Sequence, residues 1–124
     1  MKKVFLALIF ITQMSYAQER IGRSYMDVAR DFAPSYMTYY TVDTSLFLTV
    51  ELSFAEAVYE FNTDSICINT IVYPKTSEDL EFLIAQCNTT CTRISSTEWE
   101  SECFSGFCKC ELIDQRYLMW TKLK

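Results

Sequence analysis

The stretch WESECFSGFCKCEL, residues 99–112, carries the most information about the fold of this chain. Ser105-Gly106 is typical of a two-residue turn, so the residues on either side should form a β-hairpin. Counting outward from the turn opposes Phe104 to Phe107, Cys103 to Cys108, Glu102 to Lys109, Ser101 to Cys110, and Trp99 to Leu112. Directly opposed non-hydrogen-bonded residues have close Cα atoms, so this register predicts a Cys103–Cys108 disulfide.

The same register sorts the side chains of the two strands onto two faces. The apolar face carries Trp99, Cys103, Cys108, Cys110 and Leu112. The polar face carries Glu98, Glu100, Glu102, Lys109 and Glu111. A slip of one residue would mix the two sets, so the alternation indicates a sheet with one face in the core.

Two amphipathic helices are predicted outside this hairpin. Ser24 can cap the first, with Asp27 at the capping-box position, and Pro34 ends it. The second starts at Thr76 with Asp79 three residues on. Their apolar stripes at helical spacing are Tyr25, Val28, Ala29 and Phe32 in the first helix, and Leu80, Leu83, Ile84 and Cys87 in the second, which Cys91 would continue.

Further strands are predicted over residues 36–42, 46–52, 57–61, 66–73 and 117–123, separated by turns at 43–45 and 62–65. The predicted fold class is α+β: two helices packed on an antiparallel sheet, in the order helix–strands–helix–strands and stapled by disulfides. Each half should be one helix packed on antiparallel strands.

The N-terminal segment has the pattern of a cleaved secretory signal. Lys2 and Lys3 precede a short apolar run, and Ser15-Tyr16-Ala17 fits signal peptidase, so cleavage is expected between Ala17 and Gln18. Residues 1–17 are then the signal peptide, and residues 18–124 one small domain that is periplasmic or secreted. Loss of the two lysines leaves 9 basic against 16 acidic residues, a net charge of −7. Such a charge argues against nucleic acid and anionic lipid as partners.

Six cysteines follow the signal, at positions 67, 87, 91, 103, 108 and 110. An even number in a secreted chain predicts a disulfide framework rather than a metal site, since there is no His and no C-x2-C pair. Beyond Cys103–Cys108, the pairing of Cys67, Cys87, Cys91 and Cys110 stays open, with helix-to-sheet bridges favoured. No Cys follows the cleavage site closely enough to carry a lipid anchor, and no second apolar run has the length of a membrane span.

Two short motifs lie in the first half of the chain. Ile21-Gly22-Arg23-Ser24 leads into Asp27-Val28, and Val58-Tyr59-Glu60-Phe61-Asn62 is followed by Asp64-Ser65-Ile66. The first motif is similar to the helix start, and the second to the strand–turn–strand ending, of the SmpA/OmlA type of envelope module, whose α/β unit is related to the β-lactamase-inhibitory-protein fold. The resemblance implies a small α/β unit in the bacterial envelope; the chain differs in lacking the lipid-bearing Cys and the Gly-Pro after the helix.

Catalytic chemistry is poorly supported, because without His no Ser-His or Cys-His nucleophile can form, and two glycines make no phosphate loop. No cofactor is expected. The candidate contact residues are aromatic: Phe104, Phe107, Tyr36, Tyr39 and Tyr40. We therefore expect a non-catalytic protein-binding or assembly module of the bacterial envelope or exterior. The alternatives are an inhibitor of a secreted enzyme, inserting the Phe104–Phe107 loop, and a hydrolase that works through carboxylates.

Overall fold

A computed structural model describes residues 20–32, 37–104 and 106–123. The predicted signal peptide, Tyr36, Pro34 and Ser105 lie outside these residues. The first helix and its four strands are α1 (Tyr25–Phe32), β1 (Met37–Val42), β2 (Ser45–Glu51), β3 (Ala55–Phe61) and β4 (Cys67–Pro74). The second set is α2 (Ser77–Thr90), β5 (Thr92–Arg93), β6 (Glu98–Cys103), β7 (Gly106–Ile113) and β8 (Tyr117–Lys122).

All eight strands belong to one antiparallel sheet with the order β1-β2-β3-β4-β8-β7-β6-β5. Each half is a helix followed by four strands that pair with their neighbours in sequence. The halves join where β4 pairs with β8, over Asn69–Thr121 to Val72–Leu118. The α+β class is therefore confirmed, but the two sets of strands form one continuous sheet rather than a separate sheet in each half.

Local sequence signals explain where both helices begin. Ser24 Oγ accepts a hydrogen bond from the Asp27 amide at 3.3 Å, and Thr76 Oγ1 accepts one from the Asp79 amide at 3.1 Å. These caps satisfy backbone donors that the first turn of a helix leaves unpaired. The segment before α1 is held against β4, because the Gly22 amide donates to the Cys67 carbonyl at 2.8 Å. Gly22 has a φ of 96°, a conformation that favours glycine.

Both helices cover the same face of the sheet. In α1, Val28 and Phe32 are buried, and the Phe32 ring lies 5.4 Å from that of Tyr59 on β3. In α2, Leu83 and Cys87 are buried. The sheet side of this core includes Leu48, Val50, Ala57, Tyr59, Phe61, Val72, Trp99, Cys108, Cys110, Leu118 and Trp120. Directly paired residues share a face, and the strand register places all of these side chains on the helix-covered side.

The buried Arg20 is held by charge and by an aromatic ring. Its guanidinium lies 3.2 Å from Asp31 Oδ2 and 5.1 Å from the centroid of the Phe32 ring. Burying an arginine is costly unless it is paired, so these contacts tie the start of the described chain to the end of α1.

The predicted register of the β6–β7 hairpin is wrong by two residues. Cys103 is opposite Gly106, Ser101 is opposite Cys108, and Trp99 is opposite Cys110. The connection is therefore Phe104-Ser105, and Gly106 begins β7 with a φ of 140°. A shift of two residues keeps every side chain on its predicted face, because the side-chain period of a strand is two.

The Cys103–Cys108 disulfide is present, with 5.9 Å between the Cα atoms. It joins diagonal neighbours rather than directly opposed residues, which corrects the predicted geometry of the pair. The pairing among Cys67, Cys87, Cys91 and Cys110 stays a prediction; Cys87 is in hydrogen-bond contact with both Cys110 and Cys91.

Candidate functional site

The sheet face opposite the helices, called the open face below, carries a row of side chains that is apolar apart from Thr49. Thr49, Val58, Ile71 and Met119 are successive direct partners across β2, β3, β4 and β8. Val58 is only 7% exposed, and the other three are half-buried. Since no helix among the described residues packs on this side, these side chains are shielded only by their neighbours in the sheet.

Two aromatic pairs flank this row. Tyr40 on β1 and Phe47 on β2 stack with ring centroids 5.1 Å apart and planes 9° apart. Tyr73 on β4 and Tyr117 on β8 have centroids 5.0 Å apart. Aromatic side chains offer large apolar area at low cost in conformational entropy, so they suit a contact surface.

Carboxylates surround the apolar row. The open face carries Glu51, Glu56, Glu60, Glu98, Glu100, Glu102 and Glu111, by the same register rule. Lys109 is the strand residue that brings a positive charge to this face in the described part of the chain. The face is therefore acidic around an apolar centre.

Lys109 is held within these carboxylates. Its Nζ lies 3.1 Å from Glu111 Oε1, and Glu100 is directly opposite it. The hydrogen bond and charge of Glu111, with smaller effects of Glu98 and Glu100, raise the pKa of Lys109. The lysine neutralises only part of the negative charge on this half of the face.

Glu51 and Glu56 are direct partners at the other end of the face. A hydrogen bond between the two carboxyls lowers the pKa of Glu51 and raises that of Glu56. Lys75 stabilises the ionised Glu51 further, with Nζ 3.3 Å from Glu51 Oε2. The pair therefore holds a proton on Glu56 at a pH where an ordinary glutamate is ionised.

The structure distributes the predicted contact aromatics over three places. Tyr40 lies on the open face and Tyr39, next along β1, points to the other side, although both are exposed. Phe107 pairs with Glu102 and is exposed on the open face. Phe104 lies at the hairpin tip, where the Arg23 guanidinium is 4.7 Å from its ring centroid. Phe104 and Phe107 are not opposed, contrary to the predicted register.

Sequence reasoning did not identify the apolar row itself. The alternation in β2 assigns Phe47 and Thr49 to the face away from the core, which is correct. Ile71, Met119, Tyr73 and Tyr117 join them only because β4 pairs with β8. No local pattern indicates that pairing, so strand order was the missing information.

A cluster of three sulfurs lies on the helix-covered side. Hydrogen bonds link Cys87 on α2 to Cys110 on β7 and to Cys91 at the end of α2. The contact with Cys110 raises the pKa of Cys87, and the contact with Cys87 raises the pKa of Cys91. Thiols in this state are poor nucleophiles and poor metal ligands. Among the described residues, no group of His, Cys, Asp or Glu has a geometry fit to hold a metal ion.

Cys67 is separate from that cluster and packs against polar groups of its own strand. Its Sγ donates to the Asn69 carbonyl at 3.5 Å and lies 3.9 Å from Thr70 Oγ1. Burial raises the pKa of Cys67 to about 12. This thiol is therefore protonated at neutral pH and behaves as a core side chain.

Comparisons of the chain with protein-family models, curated proteins and solved structures found no match. Of the helices that the structure describes, none is both long and apolar enough to cross a membrane.

Proposed function

We propose that the mature domain is a non-catalytic protein-binding module of the bacterial envelope or exterior that binds its partner with the open face. The observation that carries the proposal is the row Val58–Ile71–Met119, which lies on an uncovered sheet face between two aromatic pairs. Contiguous apolar surface with a polar border is typical of a protein interface.

The charge of the face supports a partner of one kind. The seven carboxyl groups of the face outnumber the two lysines that pair with them, Lys109 and Lys75, so the face would repel an acidic protein and attract a surface that carries Lys and Arg around an apolar centre. The proposed occupant is therefore a protein with a basic binding surface. The envelope or exterior setting rests on the signal-like residues 1–17 and on the resemblance to SmpA/OmlA-type modules.

Affinity capture from the envelope and culture fractions, with the unchanged protein and four variants of it as bait, tests the proposal. Tyr73→Ala removes an aromatic residue of the open face, and Glu100→Lys reverses one of its charges. The matched controls are Met26→Ala on α1 and Glu78→Lys on α2, which change exposed side chains on the helix side. We expect one captured protein to be lost with both open-face variants and retained with both controls.

Salt gives a second measurement on the same captured protein. Electrostatic attraction between surfaces is screened at high ionic strength, so its association rate should fall as salt is added. Capture that is equal for all four variants, or a captured partner whose contact surface is acidic, would contradict the proposal.

A second candidate, an inhibitor of a secreted enzyme, is favoured by the hairpin tip. Phe104 and Phe107 are 62% and 58% exposed beside the Cys103–Cys108 disulfide, which restricts the connection between them. Inhibition of a secreted hydrolase that is lost on Phe104→Ala, but retained in Tyr73→Ala, would assign the function to this tip, whereas Phe107→Ala does not separate the two sites because Phe107 also lies on the open face. Inhibition that is lost only in Tyr73→Ala would instead assign the function to the open face.

A further inference from the structure

The two edges of the sheet differ in how they meet solvent. At one edge, β5 has only two residues, and Arg93 lies over the Trp99 ring and donates to the Ser95 and Ser96 carbonyls. At the other edge, β1 has six residues, and five of them are exposed. Short strands and charges protect sheet edges against further pairing, and β1 has neither protection.

The register identifies which backbone groups of β1 face outward. Asp43 and Thr44 connect β1 to β2, so Val42 and Ser45, which flank this two-residue turn, form a hydrogen-bonded pair. Hydrogen-bonded pairs alternate with non-hydrogen-bonded pairs along an antiparallel ladder, so the backbone groups of Tyr40 and Thr38 also bond to β2. The amide and carbonyl groups of Met37, Tyr39 and Thr41 therefore point away from the sheet.

The sequence of β1, Met37-Thr-Tyr-Tyr-Thr-Val42, carries no charge in a chain whose formal net charge is −5. Two copies that approach each other along β1 avoid placing like charges in contact. We propose that β1 pairs antiparallel with β1 of a second copy of this chain, with the two Tyr39 residues opposite each other.

This register makes the contact self-complementary. Tyr39 is opposite its own copy, and Met37 is opposite Thr41, so all three outward-facing residues exchange backbone hydrogen bonds. On the open face, Thr38 is opposite Tyr40, which stacks on Phe47. Two eight-stranded sheets would become one continuous sheet, as in other cases of strand addition. The inference uses the edge of the sheet and does not rest on the function proposed for the open face.

Light scattering coupled to gel filtration, over a range of protein concentrations, is the first test. We expect the mass to rise from one copy towards two as concentration increases. Thr41→Lys places a charge at the symmetric contact and should keep the protein as one copy. Thr92→Lys makes the same change at the β5 edge and should associate like the unchanged protein. Circular dichroism establishes that each variant is folded.

Amide hydrogen exchange on the unchanged protein gives a readout that needs no variant. The amides of Met37, Tyr39 and Thr41 should become protected as concentration rises, whereas those of Thr38 and Tyr40 should be protected at every concentration. A constant mass of one copy would overturn the inference, and so would association that Thr41→Lys leaves intact. Alternating protection that does not depend on concentration would also overturn it.

Discussion

Trp99 donates a hydrogen bond from its indole Nε1 to Asn88 Oδ1 over 2.9 Å, which joins β6 to the last turn of α2. The Trp99 side chain is fully buried, while Asn88 lies at the surface. The buried indole N–H therefore has its acceptor on a surface residue, next in sequence to Cys87.

Replacing Asn88 by Ala should destabilise the fold by about 1–3 kcal/mol, because the buried indole N–H loses its acceptor. Thr89→Ala is the matched control, since its hydroxyl only donates to the Gln86 carbonyl at an exposed position. Urea denaturation followed by tryptophan fluorescence measures both variants. Equal midpoints for the two would show that the indole bond contributes no stability.

Leu83 and Leu80 offer the same substitution at two degrees of burial on α2. Leu83 is fully buried, whereas Leu80 is half-buried. Leu83→Ala should lower the free energy of unfolding by about 2–5 kcal/mol, through lost burial and the cavity left behind. Leu80→Ala should cost clearly less. Thermal and urea unfolding of the pair check the order, and a reversed order would contradict the packing of α2 described above.

The Cys103–Cys108 disulfide closes a short loop, with a sequence separation of 5. The double variant Cys103→Ala with Cys108→Ala should therefore lose free energy of unfolding well below the roughly 3 kcal/mol that a fifteen-residue loop contributes. Packing lost at the buried Cys108 adds to that loss. Cys103→Ala with Cys108 intact breaks the same bond but keeps the buried Cys108 side chain, so its difference from the double variant measures the packing loss. Peptide mapping without reductant checks the bond, and finding Cys103 joined to Cys110 would contradict the hairpin register.

The thiols of Cys87 and Cys110 should form the next disulfide when an oxidant is added. Each loses one hydrogen to a small disulfide such as oxidised glutathione, which is reduced to two thiols. The raised pKa of Cys87 should make this slow at neutral pH and faster in alkali, because the thiolate is the reactive form.

Mass spectrometry after alkylation distinguishes the products of that oxidation. We expect the Cys87–Cys110 bridge, with Cys67 still alkylatable after unfolding because its neighbours Asn69 and Thr70 carry no sulfur. In Cys110→Ala, Cys87 should pair with Cys91 instead. A bridge from Cys67 to any of these three would contradict the arrangement of the cluster.

The Glu51–Glu56 pair should make stability depend on pH. Because folding raises the pKa of Glu56, its contribution is full below the ordinary glutamate pKa and is lost as pH rises through the folded value. Glu51, whose pKa is lowered, behaves in the opposite sense and loses its contribution as pH falls through its folded value.

Glu56→Gln keeps a hydrogen-bond donor to Glu51 and removes the second charge. Relative to the unchanged protein, the variant should gain stability as pH rises from acid towards neutrality. Urea midpoints at a series of pH values measure the difference, and Glu81→Gln on the exposed side of α2 is the control. A difference between the two proteins that stays constant with pH would contradict the shared proton.

The helices and most strands follow from local patterns that the sequence displays. Ser24 and Thr76 cap where capping residues should, and the stripes that contain Val28 and Leu83 face the core. In contrast, the short β5 gives no signal. The hairpin error has a physical cause: alternation fixes register only to within two residues, so the pattern could not distinguish Trp99–Leu112 from the observed Trp99–Cys110 pairing.

The open face was less accessible to sequence reasoning than the core. Exposed aromatics such as Tyr40 and Phe107 could be nominated one at a time. Their relation to Ile71 and Met119 depends on which strands meet at the centre of the sheet, and that pairing joins segments far apart in the sequence.

The central β4–β8 pairing also has a consequence for the order of folding. Pairings within each half close short loops and can form early. The Val72–Leu118 pair closes a long loop and should therefore form later. Until then both β4 and β8 are bare inner strands with apolar residues on both faces. We expect a late rate-limiting step in which the two halves dock, and an aggregation-prone intermediate before that step.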